Sequence, residues 1–131
     1  MSAGSTDRRA RLVQLAETYF AAVDRMDLGA TLACFSPEAR FTIATFGTVY
    51  RGRETEIRSM FERLNGRYAQ VWHGAFDHVV EAPHRIASRF RVENTTFEGQ
   101  LLVKNNCNFF GLRGDLFAEV FVYMSGDNSL G

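Results

Sequence analysis

The stretch "QLLVKNNCNFFGLRGDLFAEVFVYM", residues 100–124, decides the fold. Apolar, β-branched and aromatic side chains fill both of its halves, and the breaker "LRGD" at 112–115 divides them, which predicts strands over 100–111 and 116–124. A connection that short makes the pair antiparallel. Three asparagines interrupt the first strand. A buried amide without partners costs roughly 1 to 3 kcal/mol, so Asn105, Asn106 and Asn108 face either water or something polar that enters. By the period of two, Asn106 and Asn108 share one face while Asn105 and Cys107 take the other, and Asn108 is assigned to the interior. In the second strand Phe117, Phe121 and Tyr123 share a side with Glu119, and Ala118, Val120, Val122 and Met124 take the opposite side. Both sides are mostly apolar, whereas a sheet with one wet face should alternate. The second face is therefore expected to be covered by another copy of the chain.

Upstream, the same period of two, cut by "EAPH" at 81–84 and "FEGQ" at 97–100, predicts strands over 68–80 and 85–97, so that four strands form a meander. The N-terminal half reads as helix. Leu12, Leu15, Ala16, Tyr19, Val23 and Met26 fall at helical spacing behind Ser5, Thr6 or Asp7 as N-cap. A second short helix over 28–35 should stop at Ser36-Pro37. "ARFTIATF" reads as a strand and "GTVYRG" as a strand or loop. In "RETEIRSMFERLNG" the residues Ile57, Met60, Phe61 and Leu64 define a third helix closed by Asn65-Gly66. Helices first and strands last argue for an α+β domain, one unit over 1–131 with its core at about 8–126, the helices packed on one face of a curved antiparallel sheet.

With 131 residues, the chain can bury a core without staples. Fifteen basic and fifteen acidic residues are mixed along it, so no positive field favours nucleic acid or an anionic membrane surface. No apolar run approaches the ~20 residues that span a bilayer. Two cysteines without framework spacing fit a reducing, cytoplasmic setting. His73, His78 and His84 lack metal-ligand spacing, and no nucleotide or nucleophile-elbow motif occurs, so neither metal nor cofactor is expected. Aromatic residues at 13% suit a core or a cavity for a flat apolar ligand.

In its order of "YFAAVDRMDLGATLACFSPEARFT", "YRGRETEIRSMF", "FRVENTTFEGQ" and "FAEVFVYM", the chain resembles the nuclear transport factor 2-like superfamily, in its SnoaL-like and ketosteroid isomerase-like branch. The resemblance implies the cone-shaped, cystatin-like fold. It also implies an apolar cavity between the long helix and the concave sheet, and a homodimer through the convex face. Tyr19 matches the first-helix tyrosine that donates to a substrate oxygen, and Asn108 matches the strand carboxylic acid that donates beside it. Those isomerases are a standard case of a carboxylic acid kept neutral in order to donate; an amide donates at any pH. Their general-base aspartate is replaced here by Ile43, which moves no proton.

A proton carrier would then be Glu119, matched to a cavity position in the last strand, or His73 in "VWHGAFDH". Asp77 and His78 would reach His73 only through a strand bulge. Trp72, Phe61, Phe90, Val92, Asn94, Asn106, Phe121 and Tyr123 are the expected substrate-binding walls. The expected function is isomerase, cyclase or dehydratase chemistry on a lipophilic carbonyl-bearing or polycyclic compound. A non-catalytic ligand-binding or protein-interaction module of the same fold stays open as the alternative.

Overall fold

The computed structural model describes residues 2–131. Helices α1 (Ser2–Asp24), α2 (Leu28–Leu32) and α3 (Arg58–Arg67) lie against a six-stranded sheet. Its strands are β1 (Phe35–Ile43), β2 (Thr48–Arg51), β3 (Gln70–Glu81), β4 (Arg85–Thr95), β5 (Leu101–Arg113) and β6 (Leu116–Met124), in the spatial order β2-β1-β6-β5-β4-β3. The four-strand meander forms as read, within a few residues at each end. All six apolar positions of the expected stripe, Leu12, Leu15, Ala16, Tyr19, Val23 and Met26, pack in or against the core, Met26 from just beyond the end of α1.

Several local expectations are corrected. Ser5, Thr6 and Asp7 lie within α1, which begins at Ser2, so none is its N-cap. The second helix ends at Leu32, and Ser36-Pro37 belongs to β1. Its N-cap is Asp27, whose carboxylate accepts from the Ala30 N–H at 3.0 Å. Asn65-Gly66 does not close the third helix, which runs on to Arg67. A π-helical turn, Gly52–Ile57, leads into that helix, so α3 follows β1 and β2 in the chain and the helices are not all N-terminal to the sheet.

Nor is the sheet wholly antiparallel: β1 pairs with β6 in parallel. The short-connection argument holds for β3 through β6, but β1 and β6 are joined through the whole intervening chain, which leaves their direction free.

Two bulges set which side chains face inward. In β3, Gly74 pairs with Arg91 but Asp77 pairs with Arg89, and Ala75 takes a positive φ of 54°. Val71 and His73 before the bulge therefore share the concave face with Phe76, His78 and Val80 after it. In β6, Phe117 pairs with Leu112 but Glu119 pairs with Gly111, which leaves Ala118 as the extra residue. Parity reverses there. Phe117, Val120, Val122 and Met124 are buried, and Glu119, Phe121 and Tyr123 stand on the outer face.

The core between helices and sheet is largely aromatic. Tyr19 sits at its centre, its ring 5.0 Å from Phe20, 5.7 Å from Phe35, 5.5 Å from Phe117 and 5.8 Å from Phe110. Each fully buried phenylalanine contributes about 1.5 to 3 kcal/mol, and edge-on ring pairs add to this. That packing fixes α1 over β3 and β4 and so determines where its polar residues point.

Candidate functional site

A pocket opens on the concave side where α1, α3 and the meander converge. Its lining includes Tyr19, Phe61, His73, Phe90, Val92 and Val122, with Asn94, Asn106 and Asn108 as the polar groups from the sheet. The cavity is narrow, about 30 Å³, room for roughly one water molecule.

The asparagines divide as the strand period requires. Asn105 is exposed on the outer face, while Asn106 and Asn108 are buried. Asn106 Oδ1 accepts from the Ser125 N–H at 3.3 Å. Asn108 Oδ1 and Asn94 Oδ1 are buried with no hydrogen-bond partner. Such a group costs on the order of 1 to 3 kcal/mol, so two beside one cavity mark a place where a donor from water or a ligand is wanted. An amide turned about its bond presents nitrogen where oxygen was, so each of them can also donate.

His73 projects from β3 beside the rings of Phe20 and Phe90, at 5.1 and 5.5 Å. Its partner is Asp24, the last residue of α1. Asp24 Oδ1 lies 2.6 Å from His73 Nδ1, and Asp24 Oδ2 accepts the His73 backbone N–H at 3.1 Å. A carboxylate gripping both fixes the ring and places the proton on Nδ1, so that Nε2 is left to exchange a proton. The β3 bulge does put His78 on the same face, but neither His78 nor Asp77 orients His73. His78 Nε2 lies 2.7 Å from Glu17 Oε2, and its Nδ1 is 2.8 Å from Ser88 Oγ. Asp77 pairs outward with Arg89 at 2.8 Å.

Tyr19 is buried, and desolvation pushes its phenol far above the ordinary tyrosine value, with Cys34 and Asp24 adding in the same direction. It stays protonated, a donor and not a base. Ile43 is wholly buried in the core.

Four expected site residues lie elsewhere. Glu119 is on the outer face, bonded to Arg40, and Phe121 and Tyr123 flank it there, because the β6 bulge reverses the parity on which the expectation rested. Trp72 is 40% exposed and lies on the outer face. Its ring crosses Gly74, where any Cβ would come within 2.3 Å of Trp72 Cζ2. With Val79 and Phe109, the residues Glu119, Phe121 and Tyr123 line an outer groove of about 570 Å³.

Asp24 went unread because nothing in its spacing distinguishes it from a solvated helix-end carboxylate. The available signal was its separation of seven from Glu17. That spacing puts the two carboxylates on one side of α1 about 10.5 Å apart, opposite the two histidines of β3. Among the described residues no group of three His, Cys, Asp or Glu could hold a metal ion, and no helix is long and apolar enough to cross a membrane.

The model of the SnoaL-like domain matches residues 16–120. No curated protein matches the chain. Among solved structures it is similar to a polyketide cyclase candidate from Xanthomonas campestris pv. campestris, 21% identical with a TM-score of 0.80, the match covering 88% of this chain and 91% of that one. A second polyketide cyclase candidate, from Pseudomonas putida KT2440, is 24% identical with a TM-score of 0.74, over 83% of this chain and 87% of that one. PrhC from Penicillium brasilianum NBRC 6234 is 18% identical with a TM-score of 0.80, over 90% and 82%. At these identities the likeness is one of fold.

Proposed function

The chain belongs to the SnoaL-like domain family, and on that footing we propose that it is an acid–base enzyme acting on an apolar, carbonyl-bearing small molecule. His73 moves the proton through Nε2, and Asp24 positions it. Tyr19 donates to the substrate oxygen, with the Asn108 amide beside it, so that negative charge developing on that oxygen is stabilised as the proton leaves carbon. Such a set serves isomerase, cyclase or dehydratase chemistry alike. The observation that carries the reading is the Asp24–His73 contact at 2.6 Å in the wall of a pocket that holds two unpartnered amides.

The test is proton exchange at the α-carbon of 2-tetralone in D2O, followed by NMR. The wild-type chain should exceed the background rate. His73→Asn should remove about 10²-fold or more of the enhancement, and Asp24→Asn should lower it and alter its pH profile. Equal rates in wild type and His73→Asn would remove the acid–base assignment.

The narrowness of the cavity favours one second reading, a non-catalytic module that binds its ligand by opening. In that case binding occurs without exchange.

The outer groove belongs to a homodimer in our reading. The support is its apolar floor of Phe109, Phe121 and Tyr123, together with a rim that carries both signs of charge in Glu81, Arg85 and Glu119. A mixed rim of this kind can meet a second copy of itself without like-charge repulsion.

A further inference from the structure

Residues 125–131 close the pocket. After β6 the backbone turns at Gly126, whose φ of 71° favours glycine, and folds back so that Ser129 and Leu130 become part of the pocket wall. Ser125 joins this segment to β5, its N–H donating to Asn106 Oδ1 at 3.3 Å and its Oγ accepting from the Asn105 N–H at 2.9 Å, and the other bonds to the body run from side chains to strap carbonyls. Lys104 Nζ donates to Ser125 O at 2.8 Å and to Asp127 O, Arg67 donates to Ser129 O at 2.8 Å and to Gly131 O, and the Tyr50 hydroxyl donates to Leu130 O at 3.3 Å. Side-chain contacts of this kind open separately from a strand ladder.

Lys104 is the unusual member. It is only 6% exposed and shares the concave face of β5 with Asn106 and Asn108, so a cation continues the row of the two amides that line the pocket, its ammonium bonded to the strap. Burial pulls its pKa down, partly countered by Asp127. Neutral carbonyls are weaker partners for a desolvated ammonium than a carboxylate would be. Arg67 offers a planar fork suited to the same group.

We propose that residues 125–131 form a displaceable strap in the pocket mouth, and that Lys104 and Arg67, now bonded to strap carbonyls, grip the acidic group of an apolar substrate when the strap gives way. The proposal rests on the concave pocket being the substrate site and adds the substrate's class, a keto acid. On β5, Lys104 and Asn108 are four residues apart, roughly 13 Å of strand. With the reach of a lysine side chain, the acid and the carbonyl of the ligand lie on the order of 7 to 13 Å apart, as on opposite ends of two fused rings.

The test uses 6-acetyl-2-naphthoate and its methyl ester, titrated calorimetrically into the full chain. Leu130→Gly, which empties the plug, should tighten naphthoate binding at least tenfold. In that background Lys104→Met or Arg67→Gln should weaken the acid at least tenfold and leave the ester within about twofold; two variants guard against one failing to fold. In the wild-type chain the acid should also speed amide exchange at Ser129 and Leu130. Unchanged affinity in Leu130→Gly, or equal binding of acid and ester, would overturn the proposal. Binding here requires no proton transfer, so the wild-type chain should bind the acid whether or not it exchanges protons on 2-tetralone. Absence of 2-tetralone exchange by the wild-type chain would sink the catalytic reading and leave this one standing, whereas failure to bind either probe would sink this one alone.

Discussion

Asn108 holds a buried amide oxygen with no partner in its own protein, and that has a measurable consequence. Replacement by leucine, of similar size, removes a buried unpaired oxygen from an apolar wall, so Asn108→Leu should raise stability by about 1 kcal/mol while weakening binding of any carbonyl ligand. Thermal unfolding checks this, and a loss of similar size would mean that the amide is satisfied within the fold. Tyr19 gives a second test. Its neutral form is favoured in the folded state, so stability should fall as pH climbs past tyrosine's ordinary value of 10.0. In an ultraviolet titration one of the four tyrosines should ionise only with alkaline unfolding. These residues were legible in the sequence, Tyr19 by its helical spacing and Asn108 by an amide out of place in a strand. Asp24 was not, because its role depends on a residue 49 positions away that only the packing of α1 on β3 brings near.

Among the elements, α1 is tied to the sheet along its length. Arg8 and Arg11 hold Asp115, in the β5–β6 turn, at 2.5 and 3.0 Å, while Asp24 and Glu17 hold the histidines of β3. The Asp115 carboxyl is kept below its ordinary value, by hydrogen bonds from Arg8 first and Arg11 next. Its charged form is thus favoured in the fold. The tether contributes above the ordinary carboxylate value of 3.8 and is lost as pH falls beneath it. Amides of residues 8–12 should then exchange faster in Asp115→Asn than in wild type, with residues 16–23 unaffected, as hydrogen exchange by NMR would register. Strand number and pairing were legible because breakers punctuate a steady period of two. The facing of Glu119, Phe121 and Tyr123 was not, since a bulge inserts one residue without disturbing composition, and every later side chain changes sides.

For the molecule as a whole, the proposed homodimer is tested at the outer face. Phe121 is 37% and Tyr123 49% exposed in the single chain, and Phe121→Lys would put a cation at the centre of that apolar floor. Light scattering should give twice the chain mass for wild type and the single-chain mass for the variant; a single-chain mass for both would leave the groove without its second copy. The two-sided apolar character of the last strand is readable in the sequence, although the bulge at Ala118 decides which side it offers outward. One consequence concerns how the protein can be observed. Its sole tryptophan, Trp72, lies across Gly74 on the side of the sheet turned away from the pocket. Its emission therefore reports on the outer face, and a flat tryptophan trace during a ligand titration says nothing about occupancy of the concave cavity, where the emitting ring is Tyr19.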